Sequence, residues 1–261
     1  MQPKASTISL SSGELSYYAA GEGRPVVYLH PAGGVRWTRV LEELSKSFKL
    51  LVPIAPGFDG TPAHPPVKSM KGLAALAAEF IEKALGGPCD VIGCSFGGYL
   101  AAWLAAQQPD LVDHLVLECP AGFRPKGHGG RPASPEELRK LLFLHPEKLP
   151  AEEKSAEMEA SNRKMLAHYA YSPDTDEELL ARIPSIDKLT LIVHGTADRM
   201  IPKESVQLLK ARLPHSFLVY IWDAAHAIEV DQPERLLAVL KSFLERSEGF
   251  MVNWGTLAVH P

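Results

Sequence analysis

Short apolar runs alternate with longer helical patterns along most of this chain, and that alternation narrows the fold more than any other feature. The runs at residues 26–29, 50–54, 89–93 and 114–119 are bounded by turn signals and have the length of buried strands. Between them, residues 37–47, 69–85 and 97–107 read as helices, the second with Leu73, Leu76, Ala77 and Phe80 at three-and-four spacing. After residue 187 the rhythm resumes, with strands expected at 189–195 and 216–222 and helices at 203–213 and 233–245. Asp231, Pro233 and Glu234 read as the start signal of the last helix, with Asp231 as its N-cap acid. At the front, residues 6–10 and 14–19 flank Ser11-Ser12-Gly13 and read as a hairpin. Strands joined through helices run parallel, and a parallel sheet needs cover on both faces. The expected fold class is therefore α/β, with a mostly parallel central sheet and helices on both sides.

The interval from residue 123 to 187 breaks the rhythm. It carries helix signals only, among them the capping box Ser134-Pro135-Glu136-Glu137, and reads as an all-helical insertion. The expected division is a core of residues 1–122 and 188–248, the insertion 123–187, and a tail 249–261 without a usable period. A length of 261 residues suits one large domain carrying such an insertion. The net charge of −4 gives no basic excess, so neither nucleic acid nor an anionic membrane is the expected partner. The N-terminus has no apolar core of a secretory signal, and no run of 18 apolar residues occurs. A cytoplasmic protein acting on a small-molecule substrate is expected, and the oligomeric state stays open. Cys89, Cys94 and Cys119 are odd in number and lack Cys-x-x-Cys spacing, which fits reduced thiols. No metal and no organic cofactor is expected.

Ligands of parallel sheets bind outside the carboxyl ends of the strands, so polar residues just after strands carry the functional reading. Ser95 stands in Gly93-Cys94-Ser95-Phe96-Gly97-Gly98, at a strand-to-helix junction. A pattern Gly-x-Ser-x-Gly arises by chance in about one chain in ten of this length, so context decides. A nucleophile lifted clear of the backbone needs a tight turn with no side chains beside it, and the following helix start favours a developing oxyanion. Its base is expected to be His226, after the last strand, oriented by Asp198, after the preceding one. Glu118, at the end of another strand, is the alternative acid, and Cys94 reads as a small wall residue. In the loop His30-Pro31-Ala32-Gly33-Gly34, the N–H of Ala32 is the expected oxyanion donor together with that of Phe96, with Gly33 as the substitute for Ala32. His30 and His194 read as structural. Trp37 reads first as packing and second as a substrate-binding wall. The basic stretch 124–131 reads as a solvated loop or as a pocket mouth attractive to anions.

Four motifs in order, HPAGG at 30–34, GCSFGG at 93–98, HGTADRMIP at 194–202 and AAHAIEVDQPE at 224–234, carry a resemblance to the α/β-hydrolase superfamily. The chain is most similar to the subgroup with a helical cap inserted after the sixth strand, over about residues 20–246. That resemblance implies a serine hydrolase cleaving a small carboxylic ester or lactone through an acyl-enzyme on Ser95. The same subgroup contains carbon–carbon bond hydrolases of diketones, and a non-catalytic ligand-binding protein is the alternative from another class. The departures are specific: Pro31, Asp59 and Ala225 stand where glycine is usual, and Ile54 where a structural aspartate is common. Pro31 also removes one N–H from the expected oxyanion loop. A serine at 95 argues against the branches that use an aspartate nucleophile.

Overall fold

The computed structural model describes residues 3–128, 132, 134–149, 154–249, 252–253 and 258–259. Two hairpin strands, β1 (Lys4–Leu10) and β2 (Gly13–Ala20), lead into β3 (Pro25–Leu29), α1 (Arg39–Leu44), β4 (Lys49–Pro53) and α2 (Met70–Leu85). Then follow β5 (Cys89–Cys94), α3 (Phe96–Gln107) and β6 (Val112–Glu118). Helices α4 (Pro135–Leu142), α5 (Ala156–His168) and α6 (Glu177–Arg182) fill the interval before β7 (Leu189–Gly195). The chain continues through α7 (Lys203–Arg212), β8 (Ser216–Ile221), α8 (Ile228–Asp231) and α9 (Pro233–Arg246).

The first eight strands form one sheet in the order β1-β2-β4-β3-β5-β6-β7-β8. Only the pairs made by β2, with β1 and β4, are antiparallel; from β4 to β8 every pair is parallel. Helix α2 packs on α3 and α1 on α9, which supplies the two helical layers. All of β5 is buried, as expected of a strand in mid-sheet. Helix α3 is apolar around most of its circumference and buries ten of its twelve residues, which identifies it as the central helix of its layer. Among the described residues, no helix is long and apolar enough to cross a membrane.

Element ends differ from the sequence expectation where caps decide them. Helix α1 starts two residues after Trp37, because Thr38 takes the N-cap and its Oγ1 accepts the Leu41 N–H at 3.4 Å. Ser69 likewise caps α2 rather than belonging to it, and Gly86 ends it at φ 71°. The reading of Asp231 as a helix cap is corrected: Gln232 holds the N-cap position of α9, while Asp231 closes α8 and turns its carboxyl group inward. In the tail, β9 (Val252–Asn253) pairs antiparallel with β10 (Ala258–Val259), a ladder that the sequence pattern does not announce.

The interval between β6 and β7 is seated on the core by Tyr169, Leu179, Leu180, Ile183 and Ile186, which are buried in the hydrophobic cluster. Helix α4 buries none of its residues, α5 only Asn162, and α6 only Leu179 and Leu180. Polar ties add to this apolar seating. Asp176, the N-cap of α6, accepts from Tyr99 Oη at 2.5 Å and from Trp103 Nε1 at 3.1 Å, both on α3. Tyr169 Oη donates to the Pro56 carbonyl at 2.7 Å. Ala227 N–H donates to the Leu142 carbonyl at 2.8 Å.

Candidate active site

Ser95 sits between β5 and α3 at φ 54° and ψ −109°, a conformation that a residue with a side chain avoids unless its surroundings enforce it. The surroundings are three glycines. A Cβ on Gly93 would stand 2.2 Å from the Gly97 carbonyl oxygen, and one on Gly97 would stand 1.9 Å from the Leu29 carbonyl oxygen. A Cβ on Gly98 would press on Pro120 at 2.9 Å. The turn is further pinned through its backbone: Ser95 N–H donates to the Glu118 carbonyl at 2.8 Å, and Ser95 O accepts from Tyr99 and Ala121. The hydroxyl is thereby lifted off the end of the sheet.

His226 lies on the loop between β8 and α8, and its Nε2 is 2.8 Å from Ser95 Oγ. Its Nδ1 is 2.9 Å from Asp198 Oδ2, on the loop after β7. Asp198 can only accept when ionised, so Nδ1 carries the proton and Nε2 is free to accept the serine proton. The remaining carboxylate oxygen of Asp198 takes the N–H groups of Met200 at 2.7 Å and Ile201 at 3.0 Å, which fixes its orientation. Burial would push the Asp198 carboxyl up, but the facing His226 and these hydrogen bonds hold it below the ordinary carboxylate range. The loops that carry Asp198 and His226 are stitched together, with Ala197 N–H donating to the Ala224 carbonyl at 2.8 Å. Gly195 permits this approach, since a Cβ there would stand 2.2 Å from the Ala225 carbonyl oxygen.

The alternative acid, Glu118, lies elsewhere. It is fully buried, both of its carboxyl oxygens lack a hydrogen-bond partner among the described residues, and burial and the nearby Glu229 push its pKa well up. His194 is buried with its Nδ1 3.8 Å from Asp198 Oδ2, and burial lowers its pKa. Cys119 Sγ, a carboxylate oxygen of Asp198 and a ring nitrogen of His226 lie within 4.8 Å of one another, a donor set able in principle to take a metal ion. Both His226 nitrogens are engaged in the hydrogen bonds above, and burial together with Asp198 pushes the Cys119 thiol well above its ordinary pKa. That arrangement favours a neutral thiol beside the acid over a thiolate ligand.

In the loop after β3, Pro31 O accepts from His30 Nδ1 at 2.8 Å and from Gly34 N–H at 2.9 Å. His30 Nε2 accepts the Ala55 N–H at 3.0 Å, so the imidazole is the neutral Nδ1–H form, and burial lowers its pKa. His30 thus fixes its loop. The N–H groups of Ala32 and of Phe96, the first residue of α3, make no hydrogen bond among the described residues. Gly33 is exposed and Ala32 half-buried. Trp37 is half-buried against the core, edge-on to Tyr18 at 6.5 Å, with its Nε1 buried and unpartnered. Arg124 is buried and ion-paired with Asp174 at 2.7 Å, so this end of the basic stretch is neutralised.

Sequence reasoning missed the aromatic wall beside Ser95. Phe96 stacks on Phe58 at 5.4 Å and meets Tyr171 edge-on at 5.6 Å, while Phe58 stacks on Tyr169 at 6.5 Å. Two of these four rings come from the insertion, where no periodicity marks them. It also missed the polar cluster of Asp59, Lys154 and Asn162, although Asp59 stands out as a departure from the family pattern.

With this geometry in place, the comparisons are consistent with one another. Residues 26–239 match the model of the alpha/beta hydrolase family. Pimeloyl-[acyl-carrier protein] methyl ester esterase of Aeromonas hydrophila is 24% identical over 252 residues, covering 86% of this chain and 96% of the relative. The 2-hydroxy-6-oxo-2,4-heptadienoate hydrolase of Pseudomonas putida is 26% identical over 261 residues, covering 88% of this chain and 92% of the relative. A thermophilic esterase from Thermogutta terrifontis superimposes with a TM-score of 0.73 at 25% identity, covering 94% of this chain and 99% of that one.

Proposed function

The chain is a hydrolase belonging to the alpha/beta hydrolase family, and on that premise we propose that it cleaves a small carboxylic ester or lactone through an acyl-enzyme on Ser95. The observation that carries this reading is the continuous hydrogen-bond chain Ser95–His226–Asp198, at 2.8 and 2.9 Å. His226 takes the proton from Ser95 as its oxygen attacks the carbonyl carbon, and Asp198 holds the imidazole tautomer and stabilises the imidazolium. The N–H groups of Ala32 and Phe96 receive the oxyanion, with the positive end of α3 behind it. As the tetrahedral intermediate collapses, His226 returns the proton to the leaving alcohol oxygen. Water, deprotonated by His226, then releases the acid and restores Ser95. Residues 123–187 act as a cap that excludes bulk water and shapes the pocket with Tyr169 and Tyr171.

Carbon–carbon bond hydrolysis with the same triad is the second reading, favoured by the similarity to the heptadienoate hydrolase. The charge arrangement supports the ester reading instead. A dienoate is an anion, whereas Arg124 and Lys154, both largely buried on the side of the insertion, are ion-paired with Asp174 and Asp59. Hydrolysis of p-nitrophenyl acetate, compared between the wild-type protein and Ser95→Ala, tests the nucleophile. Turnover retained in full by Ser95→Ala would reject it, and a panel of esters, lactones and diketones ranks the two readings.

A further inference from the structure

Helix α5 has one fully buried residue, and it is an asparagine. Every polar group of that side chain is used. Asn162 Nδ2 donates to the Gly33 carbonyl at 3.0 Å and to Asp59 Oδ1 at 2.9 Å, and Asn162 Oδ1 accepts the Asp59 N–H at 2.9 Å. Asp59 in turn accepts the Val35 N–H on Oδ2 at 2.7 Å, and its Oδ1 also meets Lys154 Nζ. Lys154 Nζ adds a second donor to the Gly33 carbonyl, at 2.9 Å. Asp59 holds φ 51°, a conformation that favours glycine, and glycine is what the resemblance leads one to expect here. The side chain is kept despite that strain. Burial would push the Asp59 carboxyl up, but Lys154 and Asn162 hold it below the ordinary range, which keeps it an acceptor.

These contacts lead to the oxyanion loop by a short path. The Gly33–Gly34 peptide is held at both ends, its carbonyl by Asn162 and Lys154 and its N–H by Pro31 O. Pro31 O belongs to the same rigid peptide plane as the Ala32 N–H, so the direction of that donor follows from where the Gly33–Gly34 peptide is held. Two consecutive glycines, one at φ 81°, leave the loop free to turn if that hold is lost. Resting on the hydrolase reading above, we infer that Asn162, on α5 of the insertion, and Asp59, on the core loop after β4, are positioning residues that brace the Ala32 oxyanion donor. The hole is complete only while α5 is docked.

The test combines Asn162→Leu, which keeps the branched shape and removes the hydrogen bonds, with Asp59→Asn, which leaves one acceptor oxygen where two are used and turns an NH₂ group toward a facing donor. Lys154→Met removes one of the two donors to Gly33 O at a less buried position and serves if Asn162→Leu fails to fold. Three quantities are read on each protein: kcat and KM for p-nitrophenyl acetate, the rate of Ser95 labelling by a fluorophosphonate, and the thermal midpoint. A misplaced donor is expected to lower kcat about 10- to 100-fold in Asn162→Leu, with KM within about threefold and labelling slowed in parallel. Lys154→Met and Asp59→Asn shift the same way by less, since each removes only part of the hold on Gly33 O and Asp59. A kcat within twofold of wild type in Asn162→Leu, or a loss confined to KM, overturns the inference. A wild-type protein that neither hydrolyses the ester nor is labelled refutes the hydrolase reading instead.

Discussion

Replacing Asp231 by alanine should cost this protein a large fraction of its stability, because one carboxyl group serves two segments distant in sequence. Asp231 is fully buried. Its Oδ2 accepts the Ala225 N–H at 2.7 Å, Oδ1 accepts the His145 N–H at 2.8 Å, and the Leu144 N–H reaches both oxygens at 3.0 and 3.1 Å. Hydrogen bonds to a charged acceptor are worth about 1.5–3 kcal/mol each, but the amides of Leu144 and His145 regain water once released. Ala225 is 3% exposed, so its amide stays dry and unpaired, at about 1–3 kcal/mol for that group alone. The total comes to about 3–5 kcal/mol, against a typical domain stability of about 5–15 kcal/mol. Urea unfolding, followed by fluorescence and circular dichroism together, measures it through the midpoint at constant slope. Asp231→Asn should fall between, since one oxygen replaces two and the NH₂ group meets one of the facing N–H donors. Because Ala225 directly precedes His226, both variants should also lose turnover. A shift worth less than about 1 kcal/mol in Asp231→Ala would refute the reasoning.

Two further outcomes follow from the site and its floor. Asp198→Asn should lower kcat by roughly 10³–10⁴ with little change in KM, because an amide no longer enforces the Nδ1–H form of His226; a loss under tenfold in an ester assay contradicts the assignment. Burial, partly offset by the Tyr28 hydrogen bond, raises the Glu229 carboxyl from 4.5 to about 7. The folded protein therefore binds that proton more tightly than the unfolded chain does, so the contribution is fully present below about pH 4.5 and is lost as the pH rises through about 7. Glu229→Gln should flatten the fall in thermal midpoint between pH 5 and pH 8, by an amount worth up to about 3 kcal/mol. An unchanged slope in calorimetry contradicts it.

The core was readable because its strands and helices bury apolar faces at fixed periods, and because Ser95, Asp198 and His226 each lie on the loop that follows a strand. Strand order then brings the three loops to one rim, without any long-range contact having to be foreseen. Asp231 shows where that reading stops. Asp-Gln-Pro-Glu is a good local start signal, yet the carboxyl group is claimed by Ala225 and by two amides 86 and 87 residues away. Asn162 is harder still: a single asparagine on a polar helix is indistinguishable in sequence from a solvated one. Both residues belong to the attachment between insertion and core, where polar ties such as Asp176 on Tyr99 and Asp231 on Leu144 stand beside the buried Tyr169, Leu179 and Ile183.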